Sequence, residues 1–341
     1  MTDVTSELGE CMNSSGDAME PKVAVVIPCY RVGRLVLDLI PRIGREVGWI
    51  FVVDDACPIN TGDLVLAECK DPRVHVIKHT QNQGVGGATI TGYRAAADTA
   101  AAAIVKLDGD GQMDPALIAR LSRPIVMGRA DYVKGNRFHR IRDVSSMPWI
   151  RLFGNAGLSF LTKLSSGYWQ LFDPTNGFTA IHRYVLQELE LDHIAKRYFF
   201  ESDMLYNLNQ VRAVVAEMPM WAVYGDEPSS LNPAKVMLPF LKGNLRNFGR
   251  RLVYSYFIRN FSLASLELIF SIPLILFSIC YGSWHWIEGN ISGSPAAPGI
   301  VMAAALPLII GVQLFLSWLN YDVANQPTQP IHPFLKEGDG A

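Results

Sequence analysis

The chain has 341 residues, a formal net charge of −2 and 49% hydrophobic residues. This length allows one large domain or two ordinary ones, with ample material for a core. The near-neutral charge gives no support for nucleic-acid binding, so no nucleic-acid partner is expected. The five cysteines show neither paired metal-binding spacing nor a disulfide framework, which is typical of reduced thiols facing a cytosol.

The start of the chain precedes any regular pattern. Residues 1–20 are polar, without a basic start or an apolar core, and we interpret them as a disordered leader rather than a cleavable signal peptide. Short apolar runs and helical patterns then alternate. The runs are Val23–Ile27, Trp49–Val53, Val74–Ile77 and Ile104–Leu107. This alternation predicts an α/β domain built on a mostly parallel, doubly wound, Rossmann-like sheet.

Ligand-binding residue types follow each predicted strand. They are Pro28, Cys29 and Tyr30 after the first, Asp54 and Asp55 after the second, Asn82 after the third, and Asp108 and Asp110 after the fourth. In open parallel sheets, ligands bind outside the carboxyl ends of the strands. We therefore expect these side chains to converge on one edge of the sheet.

The segment Asp108-Gly-Asp-Gly-Gln112 carries two carboxylates one residue apart at a strand end, which suits a hard cation such as Mg²⁺ or Mn²⁺. A calcium loop of the EF-hand type is excluded, because its sixth and twelfth positions would be Met113 and Ala119. Three interpretations stay open on this segment alone. They are a nucleotide-sugar site in which a metal bridges the diphosphate, an aspartyl-nucleophile phosphatase, and a plain surface turn.

Five motifs occur in a fixed order: Pro28-Cys-Tyr30, Val53-Asp-Asp55, Asn82-x-Gly84-x-Gly86-x-Ala88, Asp108-Gly-Asp-Gly-Gln112 and Gly135-Asn-Arg137. Together they resemble the motifs of family 2 inverting glycosyltransferases of the GT-A fold, and most of all the polyprenyl- and dolichyl-phosphate sugar synthases. The likeness covers about residues 22–225. It implies a GT-A catalytic domain, which we bound at residues 21–230.

The resemblance also implies roles for individual residues. Nucleotide-sugar binding would fall to Pro28, Tyr30, Arg31, Asp54, Asp55, Asn82, Gly86, Asp108 and Gly109. The cofactor would be Mg²⁺ or Mn²⁺, held by Asp108, Asp110 and Gln112. The catalytic residues would be Asp110, Arg137, Glu201 and Asp203, and the acceptor would contact Arg137, Asp173, Asn176 and Gly177. Arg31 departs from the family, which usually has Asn or another small polar residue there.

Glu201 and Asp203 fall in the first turn of a predicted helix, where acidic residues are also ordinary partners of the helix dipole. An acceptor hydroxyl would need one of them as a general base, whereas a polyprenyl phosphate is already an anion. The resemblance places Asp203 where the lipid-phosphate synthases carry Glu and Glu201 where they carry Gln. The segment Trp221–Glu227 is acidic where relatives often have a basic loop. The motifs therefore leave the acceptor open.

The C-terminal part of the chain is the most apolar. Residues 261–286 and 300–319 are each long enough to cross about 30 Å of hydrocarbon, which predicts a transmembrane hairpin over 261–323 and a cytoplasmic tail over 324–341. The connecting loop has no Lys or Arg, whereas basic residues precede the first span, so both termini and the catalytic domain are expected in the cytoplasm. Residues 231–260 are predicted to include an amphipathic helix, Val236–Arg259, on the membrane surface. Lys242, Arg246 and Arg250 would share its basic face.

Three hypotheses about function follow. The leading one is a membrane-anchored inverting glycosyltransferase that moves a sugar from a UDP- or GDP-sugar to polyprenyl phosphate. The second keeps the donor and the fold but transfers to a sugar hydroxyl of a lipid-linked saccharide, with Asp203 as general base. The third is a non-catalytic membrane scaffold with a vestigial sugar-nucleotide fold. Association of copies through the hairpin is a further prediction.

Overall fold

The computed structural model describes residues 23–138, 149–220 and 233–335. At its centre is a seven-stranded sheet. The strands are β1 (Val23–Cys29), β2 (Val47–Asp54), β3 (Val74–Lys78), β4 (Ala103–Lys106), β5 (Tyr132–Asn136), β6 (Thr179–His182) and β7 (Val215–Pro219). Their spatial order is β3-β2-β1-β4-β6-β5-β7. Only β6 runs antiparallel to its neighbours β4 and β5, which confirms the mostly parallel α/β sheet.

Both faces of the sheet are covered, as the unbroken apolar runs predict. In β1, Val23, Val25 and Ile27 point into one buried cluster. The alternate residues Ala24 and Val26 point into a second cluster on the opposite face. This alternation is the two-residue period of a strand, and it explains why no polar residue interrupts the run.

Helices connect the strands and continue beyond the sheet. They are α1 (Leu35–Leu39), α2 (Thr61–Glu68), α3 (Val85–Ala97), α4 (Ile118–Val126), α5 (Trp149–Ser166), α6 (Arg183–Gln187), α7 (Phe200–Gln210), α8 (Pro233–Val253), α9 (Leu263–Ser292), α10 (Pro298–Ala324) and α11 (His332–Leu335). A π-helical turn, Tyr254–Arg259, continues α8. Strand β7 begins at Val215, because Ala213 still closes the turn after α7 through a hydrogen bond to the Leu208 carbonyl.

Helix α8 is the predicted amphipathic helix, and it has three distinct faces. A buried polar face docks on the catalytic domain, where the Asn244 Oδ1 accepts from the Ser165 hydroxyl at 2.6 Å and Asn247 reaches the helix α7. A second face exposes apolar side chains such as Leu238 and Leu245. The third face exposes the basic residues Lys242, Arg246 and Arg250. Lysines and arginines beside exposed leucines are typical of a helix that lies in a membrane interface.

Helices α9 and α10 form an antiparallel hairpin, and each is long and apolar enough to cross a membrane. Of the most apolar stretch of α10 only 6% is buried, which contradicts a water-soluble core as the reason for its composition. The one carboxylate early in α9, Glu267, accepts a hydrogen bond from the Ser317 hydroxyl of α10 at 2.8 Å. Trp318, in the second half of α10, is 1% exposed and packs against Tyr256.

The segment after α10 returns to the catalytic domain instead of forming a separate tail. Arg212 donates to the Asn325 carbonyl at 2.8 Å. The Asp131 carboxylate accepts from the backbone N–H groups of Ile331 and His332, and it lies 2.7 Å from the His332 ring nitrogen Nδ1. His332 also stacks on His182, with the ring centroids 4.1 Å apart. Both ends of the hairpin are therefore fixed to one domain.

Three of the predictions concern residues outside the described ranges. They are the disordered leader at 1–20, the acidic segment Trp221–Glu227 and the end of the tail at 336–341. The four cysteines within the described residues are free thiols, as predicted.

Candidate active site

The ends of the first, second and fourth strands meet at one edge of the sheet. The Asp55 N–H donates to the Cys29 carbonyl at 3.0 Å, which joins the ends of β1 and β2. Gly109, after β4, lies so close to β1 that an added Cβ would stand 3.3 Å from both the Cys29 Sγ and Ile27. The convergence expected from the strand order is therefore present, at the edge where open parallel sheets place their ligand cleft.

Asp54 and Asp55 are buried, and their carboxylates hold loops. The Asp54 oxygens accept from the N–H groups of Cys57 at 2.7 Å and Gly62 at 2.6 Å. The Asp55 carboxylate accepts from the backbone of Gln83 and Gly84, and it lies 2.7 Å from the His79 Nδ1. Each of the four oxygens accepts a backbone hydrogen bond, and a carboxylate oxygen can accept a second one, so the contacts of Asp54 and Asp55 with the nucleotide sugar stay a prediction.

The N-terminus of α3 is engaged by the same carboxylate. Gly84, with φ at +89°, turns its N–H toward the Asp55 Oδ2 at 2.7 Å, so the helix end binds an internal anion. Gly86 serves packing, since an added Cβ would lie 2.6 Å from the Ala195 carbonyl. The Asn82 amide donates to the Asp55 carbonyl at 3.2 Å. These contacts give Gly86 and Asn82 structural roles, and their predicted contacts with the nucleotide sugar stay a prediction.

Tyr30 and Arg31 form an exposed platform beyond the end of β1, whereas Pro28 is buried within the strand. The Tyr30 ring is 44% exposed, and the Arg31 guanidinium lies 5.3 Å from its centroid. Arg31 has φ at +61°, a left-handed conformation, and its N–H reaches the Cys57 Sγ at 3.0 Å. An accessible aromatic ring beside a guanidinium is well suited to stacking against a planar base.

A buried lysine connects three predicted site residues. Lys106 is 1% exposed, and its Nζ lies 2.8 Å from the Asp108 Oδ1, 3.3 Å from the Glu201 Oε1 and 3.3 Å from the Gly177 carbonyl. Burial alone would lower the pKa of Lys106, but the carboxylates of Asp108 and Glu201 outweigh it and raise the pKa. We call Lys106, Asp108, Gly177 and Glu201 the lysine cluster.

The carboxylates nearest the cleft stand in the loop after β4. Asp108 is 30% exposed, and the Asp110 Oδ1 accepts from the Gln112 N–H at 3.0 Å. Within the described residues, no three His, Cys, Asp or Glu side chains are grouped to hold a metal by themselves. A donor set of two carboxylates and an amide fits Mg²⁺ or Mn²⁺ that takes its other ligands from a bound diphosphate.

The predicted acceptor residues form a second group. The Arg137 guanidinium binds the buried Asp173 with two hydrogen bonds, from Nε at 2.8 Å and from Nη2 at 3.1 Å. Asn176 lies beside it and donates to the Asp173 Oδ2 at 3.4 Å. The bidentate pair fixes the plane of the guanidinium, which remains about one-third exposed.

A second buried lysine supports this group. The Lys134 Nζ donates to the Asn176 carbonyl at 2.7 Å. Burial lowers the pKa of Lys134 to about 8, although the carboxylates of Glu201 and Asp173 oppose that shift. Glu217 accepts from the Asp173 N–H at 2.8 Å, and burial raises its pKa.

Asp203 does not share the cleft with Glu201. It is 2% exposed, and its two oxygens accept from the Ala195 N–H and the Asn247 side-chain amide, both at 2.7 Å. On a helix, residues two apart point in different directions, so Glu201 faces Lys106 while Asp203 faces α8. The Asp203 carboxylate therefore holds α8 against the catalytic domain, and its role as a catalytic base stays a prediction.

Several important residues were missed by the sequence interpretation. Lys106 and Lys134 gave a usable signal, since each is a charged residue inside an otherwise apolar strand. Asp322, near the end of α10, gave none. Its carboxylate binds both terminal nitrogens of Arg251, at 2.6 and 2.9 Å, and also accepts from the Tyr256 hydroxyl and the Trp169 indole N–H.

Comparisons with known proteins agree with this geometry. The family profile described as "Glycosyl transferase family 2" matches residues 24–190. A UDP-N-acetylglucosamine–dolichyl-phosphate N-acetylglucosaminyltransferase of Methanococcus voltae is 31% identical over 232 residues, which are 64% of this chain and 92% of that protein. An undecaprenyl-phosphate mannosyltransferase of Micrococcus luteus is 30% identical over 58% of this chain and 82% of its own length.

The fold recurs in solved structures. Glucosyl-3-phosphoglycerate synthase of Mycobacterium tuberculosis, crystallised with phosphoglyceric acid, superposes with a TM-score of 0.50 at 16% identity, over 68% of this chain and 80% of that one. This likeness confirms the GT-A fold and nothing finer. The matched profile and the similarity to the Methanococcus voltae protein, which is covered over 92% of its length, show that the chain belongs to glycosyltransferase family 2 and is a glycosyltransferase.

Proposed function

We propose that the protein transfers a sugar from a UDP- or GDP-linked donor to the phosphate of a polyprenyl lipid at the membrane surface. The observation that carries this proposal is the lysine cluster at the sheet edge, in a domain to which an amphipathic helix and an apolar hairpin are fixed. The relatives from Methanococcus voltae and Micrococcus luteus are named for dolichyl and undecaprenyl phosphate acceptors, which supports the class of acceptor.

In this proposal the donor lies over the ends of β1 and β4. The exposed Tyr30 ring would stack on the base, and Asp108 would face the ribose or the metal. Mg²⁺ or Mn²⁺, held by Asp108, Asp110 and Gln112, would neutralise charge on the departing diphosphate. Lys106 holds the Asp108 carboxylate in place from behind, at 2.8 Å.

The acceptor phosphate would approach from the side of Arg137. One of its oxygens forms a bond to the anomeric carbon of the sugar, the bond from that carbon to the diphosphate breaks, and the nucleoside diphosphate leaves with the electron pair. A lipid phosphate is already an anion, so no proton needs to be removed from it. Asp173 fixes the Arg137 fork in an orientation suited to phosphate oxygens.

The buried state of Asp203 supports a phosphate acceptor over a sugar hydroxyl. A general base must come within hydrogen-bond distance of the proton that it removes. Asp203 is instead bonded to Ala195 and Asn247. Transfer to a hydroxyl of a lipid-linked saccharide is therefore the less favoured hypothesis.

We further propose that residues 21–230 form the catalytic domain, 231–260 the interface helices and 261–323 a membrane-spanning hairpin. Basic residues on α8 and the absence of Lys and Arg from 288–299 favour a catalytic domain and both termini in the cytoplasm. The return of the chain to Arg212 and Asp131 after α10 supports the two ends of the hairpin lying on one side.

The test is a transfer assay on the full-length protein in detergent. Polyprenyl phosphate and a panel of UDP- and GDP-sugars are supplied with Mn²⁺, and the lipid product is identified by mass spectrometry. Asp110→Asn is expected to lower turnover by about 100-fold. The matched control is Asp114→Asn in the same loop, whose carboxylate pairs with Arg42 at the surface, and it should retain activity.

Two results would overturn the proposal. One is transfer to a lipid-linked saccharide, supplied in a parallel reaction, with no transfer to polyprenyl phosphate. The other is a lack of any product together with a lack of thermal stabilisation by every nucleotide sugar, which would revive the scaffold hypothesis.

A further inference from the structure

A polar cavity of about 170 Å³ lies where the catalytic domain meets the hairpin. Its lining includes Arg212, Ser255, Arg259, Tyr321 and Asn325. Arg212 follows the C-terminal end of α7, whereas Glu201 stands in the first turn of that helix. Because α7 has 11 residues at about 1.5 Å each, roughly 16 Å separate the cavity from the lysine cluster.

Two guanidinium groups face this cavity. Arg212 donates only to neutral acceptors there, the Asn325 carbonyl at 2.8 Å and the Asn325 side-chain oxygen at 3.4 Å. Asp322, one turn before the end of α10, is already bound bidentately by Arg251. Burial lowers the pKa of Arg212, and the positive charge of Arg259 lowers it further. The cavity therefore has a positive charge that the surrounding described side chains do not neutralise.

Donor groups in the cavity wall are also unsatisfied. Within the described residues, the Arg259 Nη1 and the Ser255 Oγ are buried and have no hydrogen-bond partner. Leaving such groups unpaired is costly, and native structures seldom do so without a ligand or a solvent molecule. A ligand with several acceptor oxygens would satisfy both of them and Arg212 together.

The location of the cavity identifies the kind of anion. Arg259 ends the π-helical turn that leads into α9, and Tyr321 lies in the last turn of α10. On either side of Arg259, large apolar side chains are exposed, namely Ile258 before it and Phe261 and Leu263 after it. A charged hollow bordered by exposed apolar residues at the end of two membrane-length helices matches the boundary between headgroups and acyl chains.

We propose that this cavity binds the phosphodiester of an anionic membrane phospholipid, with Arg212 and Arg259 holding the phosphate and the acyl chains lying along Phe261 and Leu263. The lipid would be a resident ligand and neither donor nor acceptor of the transferred sugar. The inference rests on membrane insertion of the hairpin, which is part of the proposed function, but it does not depend on the transfer reaction.

The experiment uses the full-length protein in detergent without any nucleotide sugar. Unfolding temperature and retained lipid, the latter by native mass spectrometry, are measured after adding phosphatidylglycerol, phosphatidylcholine or inorganic phosphate. The wild type should be stabilised by phosphatidylglycerol and should retain it more strongly than phosphatidylcholine. Arg259→Gln should weaken this binding by about tenfold or more, since a charge-assisted hydrogen-bonding group is lost.

Arg120→Gln is the matched control, because Arg120 is exposed on α4 and does not line the cavity, so this variant should leave binding unchanged. If Arg259→Gln does not fold, Ser255→Ala provides a second test with an expected loss of a few-fold in affinity. Equal binding of the two lipids, or Arg259→Gln behaving as wild type, would overturn the proposal. Stabilisation by inorganic phosphate as large as that by phosphatidylglycerol would overturn the assignment to a lipid. None of these results depends on whether the enzyme turns over.

Discussion

Replacing Lys106 by Met tests the organisation of the active site most directly. Methionine preserves an unbranched apolar stem of similar length and removes the ammonium group. The substitution deletes three contacts at once, to the Asp108 carboxylate at 2.8 Å and to the Glu201 carboxylate and the Gly177 carbonyl at 3.3 Å each. Two carboxylates would then lie near each other without the cation between them.

The magnitude follows from burial. Removing one partner of a fully buried ion pair costs about 3–5 kcal/mol. Asp108 is 30% exposed and water screens it in part, so a loss of about 2 kcal/mol in the free energy of unfolding is a reasonable expectation. For a domain of this size that corresponds to roughly 4–8 °C in Tm. A displacement of the Asp108 carboxylate by about 1 Å would lower kcat/KM by about 100-fold.

The assay measures sugar transfer to polyprenyl phosphate together with thermal unfolding of the same preparation. Lys78→Met is the matched control, because Lys78 pairs with Asp63 at the exposed end of β3 and should leave both quantities unchanged. If Lys106→Met remains folded and retains kcat/KM within about threefold of the wild type, the assignment of Lys106 as a positioning residue is refuted.

Three further substitutions test other parts of the structure. Between pH 8 and about pH 10, Lys134 is neutral in the folded protein but still protonated in the unfolded chain. The free energy of unfolding should therefore rise by about 2–3 kcal/mol over this pH range. Lys134→Met should lack this rise when denaturation is measured at both pH values. Asp203→Asn should keep transfer to polyprenyl phosphate within about threefold of wild type but lower Tm by a few degrees. A large loss of turnover in a folded variant would instead indicate that Asp203 acts as a base. Gly177→Ala would put a Cβ 2.7 Å from the Lys106 Nζ and 3.0 Å from the Asp108 Oδ2. We expect kcat/KM to fall by about tenfold while the circular dichroism spectrum is unchanged. Full activity would show that the lysine cluster tolerates displacement.

The fold could be predicted from the sequence because the signals that specify it are local. Apolar runs such as Val23–Ile27 are covered on both faces, and their alternation with helices admits few topologies. The antiparallel placement of β6 was not predictable in this way, since the long connection before it carries no sign of strand direction. The hairpin was predictable because few other folds need two helices that are so long and so apolar.

The site was predictable only as far as residue types determine contacts. Asp108 faces the cleft because the glycines beside it let the loop bend toward β1. Asp55 and Asp203 have the same chemistry, but they accept from a backbone N–H group and a side-chain amide brought in by distant segments. A sequence shows that a carboxylate is present, but it does not show which donor reaches it.

The two attachments of the hairpin have a mechanical consequence. One runs through α8, where Arg251 grips Asp322, and the other through the return of the chain to Asp131. A helix attached at one end can rotate relative to its domain. Two helices attached to the same domain at both ends of the hairpin cannot rotate without breaking a buried contact. Cutting the chain in the turn at 293–297 would therefore leave both helices attached to the catalytic domain. In the proposed membrane arrangement, these contacts and not a flexible linker would fix the distance between the active site and the bilayer.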